Sequence, residues 1–380
     1  MKISCIQENI NTGLNIVNKI VSKNTSLPIL SNILLKTENK NLNLIATNLE
    51  IAIKYIIRCK VEEDGEIAVP SDIFSNYINI LPKERVDISN INNDLDIKCG
   101  KYKTKIVGND VLDFPIVPSI NTDVCYKIGI DVIKEFVPQV IFAVSVSQIK
   151  PEISGVLFNF SEDGLIVTAT DGYRIAEKTI KLSNKNKPIK VIIQTRVLQE
   201  LFRIVSVLQK DSMFTGQESN DVEMYISNTQ VVFKHHYFEL VSKVISGTYP
   251  DYEPVVPKSF TTRAVINTED FIRGVKASSL FSRTNIFDVV VELNSQDKTV
   301  TIKGSAANIG ESIVEYEDAK IEGEGSKIIL NYKYLLSGLL NITSEEFAIE
   351  TTASTNPCII RPATDGTESK YLYVIMPLRQ

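Results

Sequence analysis

"TATDGYRIAEKT" (Thr168–Thr179) joins two apolar, β-branched runs, Leu165-Ile166-Val167-Thr168-Ala169 before it and Ile175-Ala176-Glu177-Lys178-Thr179-Ile180 after it. The Asp171-Gly172 pair is a hairpin signal, because these residue types tolerate the backbone of a tight turn. A turn that only faced water has no need of Tyr173, Arg174 and Ile175 directly behind the glycine. The stretch is either a plain hairpin or a hairpin that also walls a site. Both readings put antiparallel β structure near the middle of the chain.

Outward from this hairpin a pattern recurs three times. Each third opens with a strand and an amphipathic helix: "ENINTGLNIVNKIV" (Glu8–Val21), "DVIKEFVPQVIFA" (Asp131–Ala143) and "TEDFIRGVKASSL" (Thr268–Leu280). Ile10, Leu14, Val17 and Val21 recur at helical spacing, and Asp131 and Thr268 are expected N-caps. Alternating strands follow, then a short apolar strand leading into a second helix: "IAVPSDIFSNYINIL" from Ile67, "VIIQTRVLQELFRIV" from Val191 and "IILNYKYLLSGLL" from Ile328. Proline-rich closings, "DFPIVP" (Asp113–Pro118) and "YPDYEPVVP" (Tyr249–Pro257), read as connectors. The expected fold class is α+β, with three repeated domains, each holding two helices and antiparallel sheets, over residues 1–120, 121–257 and 258–380.

Composition agrees with a folded, water-exposed protein. The chain has 380 residues, 43% of them hydrophobic and 23% charged, which is too long for one ordinary core. No run approaches the roughly 20 apolar residues of a membrane helix, and "MKISCIQENI" has no signal-peptide apolar block. Cys5, Cys59, Cys99, Cys125 and Cys358 are scattered and show no paired motif, so reduced cysteines of a cytoplasmic protein are expected. The net charge of −5 excludes DNA wrapping by whole-surface attraction, and leaves open DNA binding by one basic face.

Catalytic signatures are missing. The only histidines, His235 and His236, are adjacent in "VVFKHHYFEL", and neighbours on a strand point to opposite faces. No GxxxxGK[ST], GxGxxG or GxSxG stretch appears. The carboxylates Glu62-Glu63-Asp64 and Glu315, Glu317 and Asp318 lie in polar, solvated stretches. No metal or other cofactor is expected, and the chain reads as a binding or scaffolding protein.

Five stretches, in register along the whole chain, carry a resemblance: "TSLPILSNILL" (Thr25–Leu35), "FAVSVSQIKPEISGVLF" (Phe142–Phe158), "ATDGYRIA" (Ala169–Ala176), "YPDYEPVVP" and "YVIMPLRQ" (Tyr373–Gln380). Together they resemble the bacterial sliding clamps, the β subunits of DNA polymerase III. The resemblance implies a head-to-tail homodimer closed as a ring around double-stranded DNA, helices inside and sheet outside. It implies a non-enzymatic processivity factor that tethers the replicative polymerase α subunit, is opened by the clamp loader, and serves other proteins carrying a clamp-binding motif.

Site residues follow from the resemblance position by position. The pocket for partner peptides maps to Glu152 and Ile153, to Thr170, Gly172, Tyr173, Arg174 and Ile175, to Pro250 and Val255, and to Val374, Ile375, Met376, Pro377, Leu378 and Arg379. Apolar walls would bury Leu or Phe anchors, with the arginines holding polar groups at the rim. Met376 would supply an adaptable surface. DNA-facing positions are Lys19, Lys23, Asn24, Lys134, Ser147, Arg196, Arg203, Arg273, Lys276 and Lys333. A solvated helix face accounts equally well for each of these taken singly. The dimer contact maps to Leu280 and Phe281 of one subunit and the region of Ile106 of the other.

The chain departs from the family at three places: Glu152 replaces an aromatic or aliphatic pocket residue, Asn24 an arginine, and Tyr173 a histidine. Two other readings compete. A metabolic enzyme on repeated α+β modules would need converging titratable groups, and a sequence-specific DNA binder would need a recognition helix.

Overall fold

The computed structural model describes residues 1–22, 27–91, 93–117, 120, 124–147, 149–182, 187–208, 220–317, 319–364 and 369–379. Six α-helices occur among them: α1 (Gln7–Val17), α2 (Ser71–Ile80), α3 (Ile130–Ile141), α4 (Thr195–Leu208), α5 (Thr268–Ser279) and α6 (Tyr332–Leu339). Each buries one apolar stripe, such as Ile10, Leu14 and Val17 of α1, Ile133, Phe136 and Val140 of α3, and Phe271 and Val275 of α5.

The repeat is visible in strand pairing. Three times, the strand before the first helix pairs antiparallel with the strand after the second. The partners are Ser4 with Asp87, Lys127 with Glu223, and Ala264 with Ile349. Three times, the strand after the first helix pairs with the strand before the second, through Leu34 with Ala68, Leu157 with Ile192, and Val291 with Ile328. One topology written three times is the sheet-level counterpart of the helical repeat.

The chain divides into two compact units, Met1–Ile130 with Glu200–Val244, and Asp131–Gln199 with Ile245–Gln380. In the first, strand Ile51–Arg58 pairs with Phe238–Ile245, setting Ile53 opposite Leu240. A separate five-stranded sheet ends in the edge strand Tyr102–Val107. In the second, strand Arg174–Lys181 pairs with Ser369–Ile375, setting Ala176 opposite Tyr373. There a four-stranded sheet ends in the edge strand Gly310–Tyr316. Gly338 of α6 lies against the Tyr373 ring, where a Cβ would come within 2.2 Å of the ring carbons.

Local expectations are corrected at three points. The N-cap of α5 is Asn267, whose side chain accepts from the Asp270 N–H, while Thr268 opens the helix and donates to Ser344 O at 2.9 Å. α3 begins at Ile130, which puts Asp131 inside its first turn. His235 ends its strand and His236 sits in the turn leading to Phe238, so the two are not alternating strand neighbours. All five cysteines are free thiols, and Cys5, Cys99 and Cys358 are buried.

Candidate functional site

The quoted hairpin is built by its own side chains. Thr170 faces Ile175 across the two strands, leaving residues 171–174 to turn. Asp171 Oδ1 accepts from the Tyr173 and Arg174 N–H groups at 2.9 and 3.1 Å. Thr170 Oγ1 accepts from the Gly172 N–H and donates to the Arg174 carbonyl. Gly172 has φ of +90°, which a side chain would strain.

Arg174 is the centre of the constellation. Its Nε donates to Asp171 Oδ2 at 2.9 Å and its Nη2 to the Phe142 carbonyl at 2.8 Å. The guanidinium lies 4.6 Å from the Tyr334 ring centre and 5.4 Å from that of Phe142. Tyr173, 62% exposed, stacks on the other partner of this set, Tyr334, with ring centres 6.5 Å apart. Tyr334 itself is fixed from behind, because the Tyr373 hydroxyl donates to its carbonyl. Burial first, and then the Asp171 charge, pushes the Tyr334 phenol up, so it stays neutral and available as a donor.

The C-terminal run is pinned against this platform. Arg174 pairs with Ile375, the Met376 N–H donates to the Tyr173 carbonyl at 2.9 Å, and the Leu378 N–H donates to Ile329 O at 2.9 Å. The connector is anchored as firmly: the Tyr252 hydroxyl donates to Glu177 and the Tyr249 hydroxyl to Thr168 O at 3.4 Å. One apolar cluster joins Ile153, Ile175, Tyr249, Tyr252 and Val374. Of the peptide-pocket positions, drawn from separate parts of the sequence, Ile153, Ile175 and Val374 meet in this cluster.

The peptide-pocket positions divide into a supporting layer and an accessible one. Ile153, Ile175, Val374 and Ile375 are buried and support the walls rather than face a ligand. Gly172, Tyr173, Pro250, Val255 and Arg379 are exposed, and Glu152, Met376, Pro377 and Leu378 are half-buried. Glu152 lies against Gly247, two residues ahead of the connector. Phe142, Tyr334 and Tyr373 were not singled out as site residues by the sequence, and Asp171 was read only as a turn former. The signal for Tyr334 was its place beside Lys333 on a helix already assigned; Phe142 and Tyr373 gave none before the fold was known.

The expected DNA-facing positions are more dispersed. Lys19, Ser147, Arg196, Arg273, Lys276 and Lys333 are exposed, and Lys134 is half-buried on α3. Arg273 is ion-paired with Asp270, and the Lys333 ammonium sits 3.3 Å from the Phe287 ring centre. Lys23 and Asn24 lie outside the described residues. Arg203 is engaged within the protein. Its Nη2 donates to Ile16 O at 2.7 Å and its Nη1 to Asn15 O at 3.3 Å, while Nε bonds Glu200. It closes the C-terminus of α1, which has no basic residue of its own in the last turn.

At the expected dimer contact, the Ile106 side chain itself is turned inward. It is buried opposite Leu95 inside its own sheet, whereas the next residue, Val107, is exposed on the edge strand. Leu280 is 73% exposed at the end of α5, and Phe281 is half-buried beside Gly310.

Known proteins show the same organisation. Family models described as DNA polymerase III beta subunit, N-terminal, central and C-terminal domain match residues 1–118, 127–251 and 253–379. The beta sliding clamp of Staphylococcus aureus is 28% identical over 377 residues, covering 97% of this chain and 96% of that protein. The clamp of Staphylococcus epidermidis is 27% identical over 375 residues, with 96% of each covered. The solved sliding clamp of Bacillus subtilis superimposes with a TM-score of 0.90 at 26% identity, covering 100% of this chain and 99% of that one. Fold and matches together define a DNA sliding clamp, a non-catalytic processivity subunit of DNA replication. The chain belongs to the DNA polymerase III beta subunit family. No helix among the described residues is long and apolar enough to cross a membrane.

Proposed function

We propose that the surface around Tyr173, Arg174 and Tyr334 captures short linear peptides of the replicative polymerase α subunit, the clamp loader and other proteins with a clamp-binding motif. The convergence of hairpin, connector and C-terminal run on one surface carries this reading. An extended peptide would set apolar anchors between the Tyr173 ring and Val255, while Met376 adapts to the anchor's shape. Arg379 and Glu152 would meet polar groups at the rim.

The polymerase is held to its template if the clamp encircles it. We propose a head-to-tail homodimer, closed as a ring around double-stranded DNA, in the cytoplasm, with domains at 1–120, 121–257 and 258–380. Two open sheet edges support the dimer. Strand Tyr102–Val107 carries Lys103 and Lys105, and strand Gly310–Tyr316 carries Glu311 and Glu315. Opposite charges facing across paired strands are favourable, and one such contact used twice closes a ring. Lys19, Lys134, Arg196, Arg273, Lys276 and Lys333 would meet phosphates through screened contacts that read no sequence, which suits sliding.

Retention on DNA tests this directly. Clamp loaded onto nicked circular DNA should stay bound through gel filtration and leave when the circle is linearised. Equal loss from both forms would remove the encircling reading while leaving the peptide surface to be judged separately.

A further inference from the structure

Two of the five free thiols, Cys5 and Cys59, flank the end of one strand pairing. Strand Lys2–Ile6 pairs antiparallel with Lys60–Glu63, setting Ile3 opposite Val61 and Ser4 opposite Lys60. The pairing ends there, and the residues that follow it on the two sides are Cys5 and Cys59, so one more step of the register would oppose them. Side chains alternate along a strand, so Cys5 shares the face of Ile3, and Cys59 that of Val61, the partner of Ile3. Continued by one residue past Lys60, this alternation puts both thiols on one face. Directly opposed antiparallel residues have Cα atoms roughly 4.5–5.5 Å apart, inside the window of roughly 4.4–6.8 Å that a disulfide spans. Cys99 is a strand further off, since Cys5 pairs with Val86 and Val86 with Cys99, and Cys125 and Cys358 open strands of other sheets.

We infer that Cys5 and Cys59 are a reversible two-electron redox pair, oxidised to a disulfide by a peroxide. Cys59 is half-buried and Cys5 buried, so Cys59 is the sulfur a peroxide reaches and Cys5 the one that resolves. The Cys59 thiolate attacks the O–O bond, which breaks to give the Cys59 sulfenic acid and one water once protons are counted. Cys5 then attacks that sulfur, forming the S–S bond and releasing a second water. Two thiols and one hydrogen peroxide become one disulfide and two waters; the sulfurs lose two electrons and the peroxide gains them.

Burial pushes both thiols up, Cys5 further through the neighbouring Cys59. The thiolate fraction at neutral pH is therefore small, and the reaction is slow there and faster as pH rises. Cys59 lies between Ile51–Arg58 and Lys60–Glu63, strands of two different sheets. The bridge ties this crossover to the first strand, so the oxidised chain resists unfolding more than the reduced one.

The test treats the full chain with hydrogen peroxide near neutral and at mildly alkaline pH, alkylates remaining thiols, and maps peptides without reduction. The expected result is a peptide pair linked through Cys5 and Cys59, formed faster at the higher pH, lost on adding dithiothreitol, with a raised melting midpoint. The variant Cys5→Ser should leave Cys59 as a sulfenic acid that dimedone captures. If the wild-type map shows both thiols alkylated, or Cys59 over-oxidised or joined between chains while Cys5 stays free, the pair does not exist. The wild-type map decides this even where the variant folds poorly.

Discussion

The Tyr252 hydroxyl donates to the Glu177 carboxylate and lies 2.8 Å from Thr168 Oγ1, so the connector is fastened to the strand that follows the quoted hairpin. Tyr252→Phe keeps the ring and removes the donor, leaving a largely buried carboxylate short of a partner. The expected cost is about 1–3 kcal/mol in urea unfolding. Peptide affinity should weaken as well, because Pro250 and Val255 ride on the loosened connector. Unchanged stability and affinity would remove Tyr252 from the account.

Glu177 also makes stability depend on pH. Burial pushes its carboxyl up, the Tyr252 hydrogen bond pulls it back, and the Glu253 charge adds to the rise. A raised folded value means that the fold favours the neutral acid. This contribution is complete below the ordinary glutamate value of 4.5 and is lost as pH rises through the folded one. Urea midpoints measured from acidic to neutral pH should show this decline in the wild type and a flatter profile in Glu177→Gln. A parallel profile in the variant would assign the slope to other groups.

Arg203 and Lys276 are expected to separate a structural cation from the proposed DNA-facing one. Arg203→Ala removes the donors to Asn15 O and Ile16 O and should cost about 1–3 kcal/mol of stability, leaving the salt dependence of DNA association unchanged. Lys276→Ala should leave stability within about 0.5 kcal/mol and lower the salt slope by roughly one. The reverse pattern would exchange their roles.

Leu280 and Phe281 are expected at the subunit contact. Leu280→Ala with Phe281→Ala should weaken the dimer roughly tenfold or more, since each lost anchor of that size is worth more than 1 kcal/mol. Sedimentation at low concentration would show monomers. A dimer that persists under those conditions sinks the assignment.

The threefold α+β repeat was legible because helical and strand periodicities survive in single stretches, such as Ile10, Leu14 and Val17. The hairpin at Asp171-Gly172 was legible for the same local reason. What stayed hidden depends on partners far off in the chain. Arg203 looks like a helix-surface cation until α1 brings two carbonyls to it. The inward turn of the Ile106 side chain is set by its pairing opposite Leu95. Tyr334 joins Tyr173 only through the fold. Asn267 caps α5 ahead of Thr268 because its side chain reaches the Asp270 N–H, a difference of one residue that propensity does not decide.

The most direct test is a titration of a fluorescent peptide containing Gln and Leu/Phe anchors against the wild-type chain and a chain truncated after Ile375. The truncation removes the Met376 and Leu378 N–H groups that hold the C-terminal run to Tyr173 and Ile329. The account predicts micromolar binding by the wild type and its loss in the truncated, still folded, chain. Equal binding by both, or by neither, would contradict the peptide surface built on Tyr173, Arg174 and Tyr334.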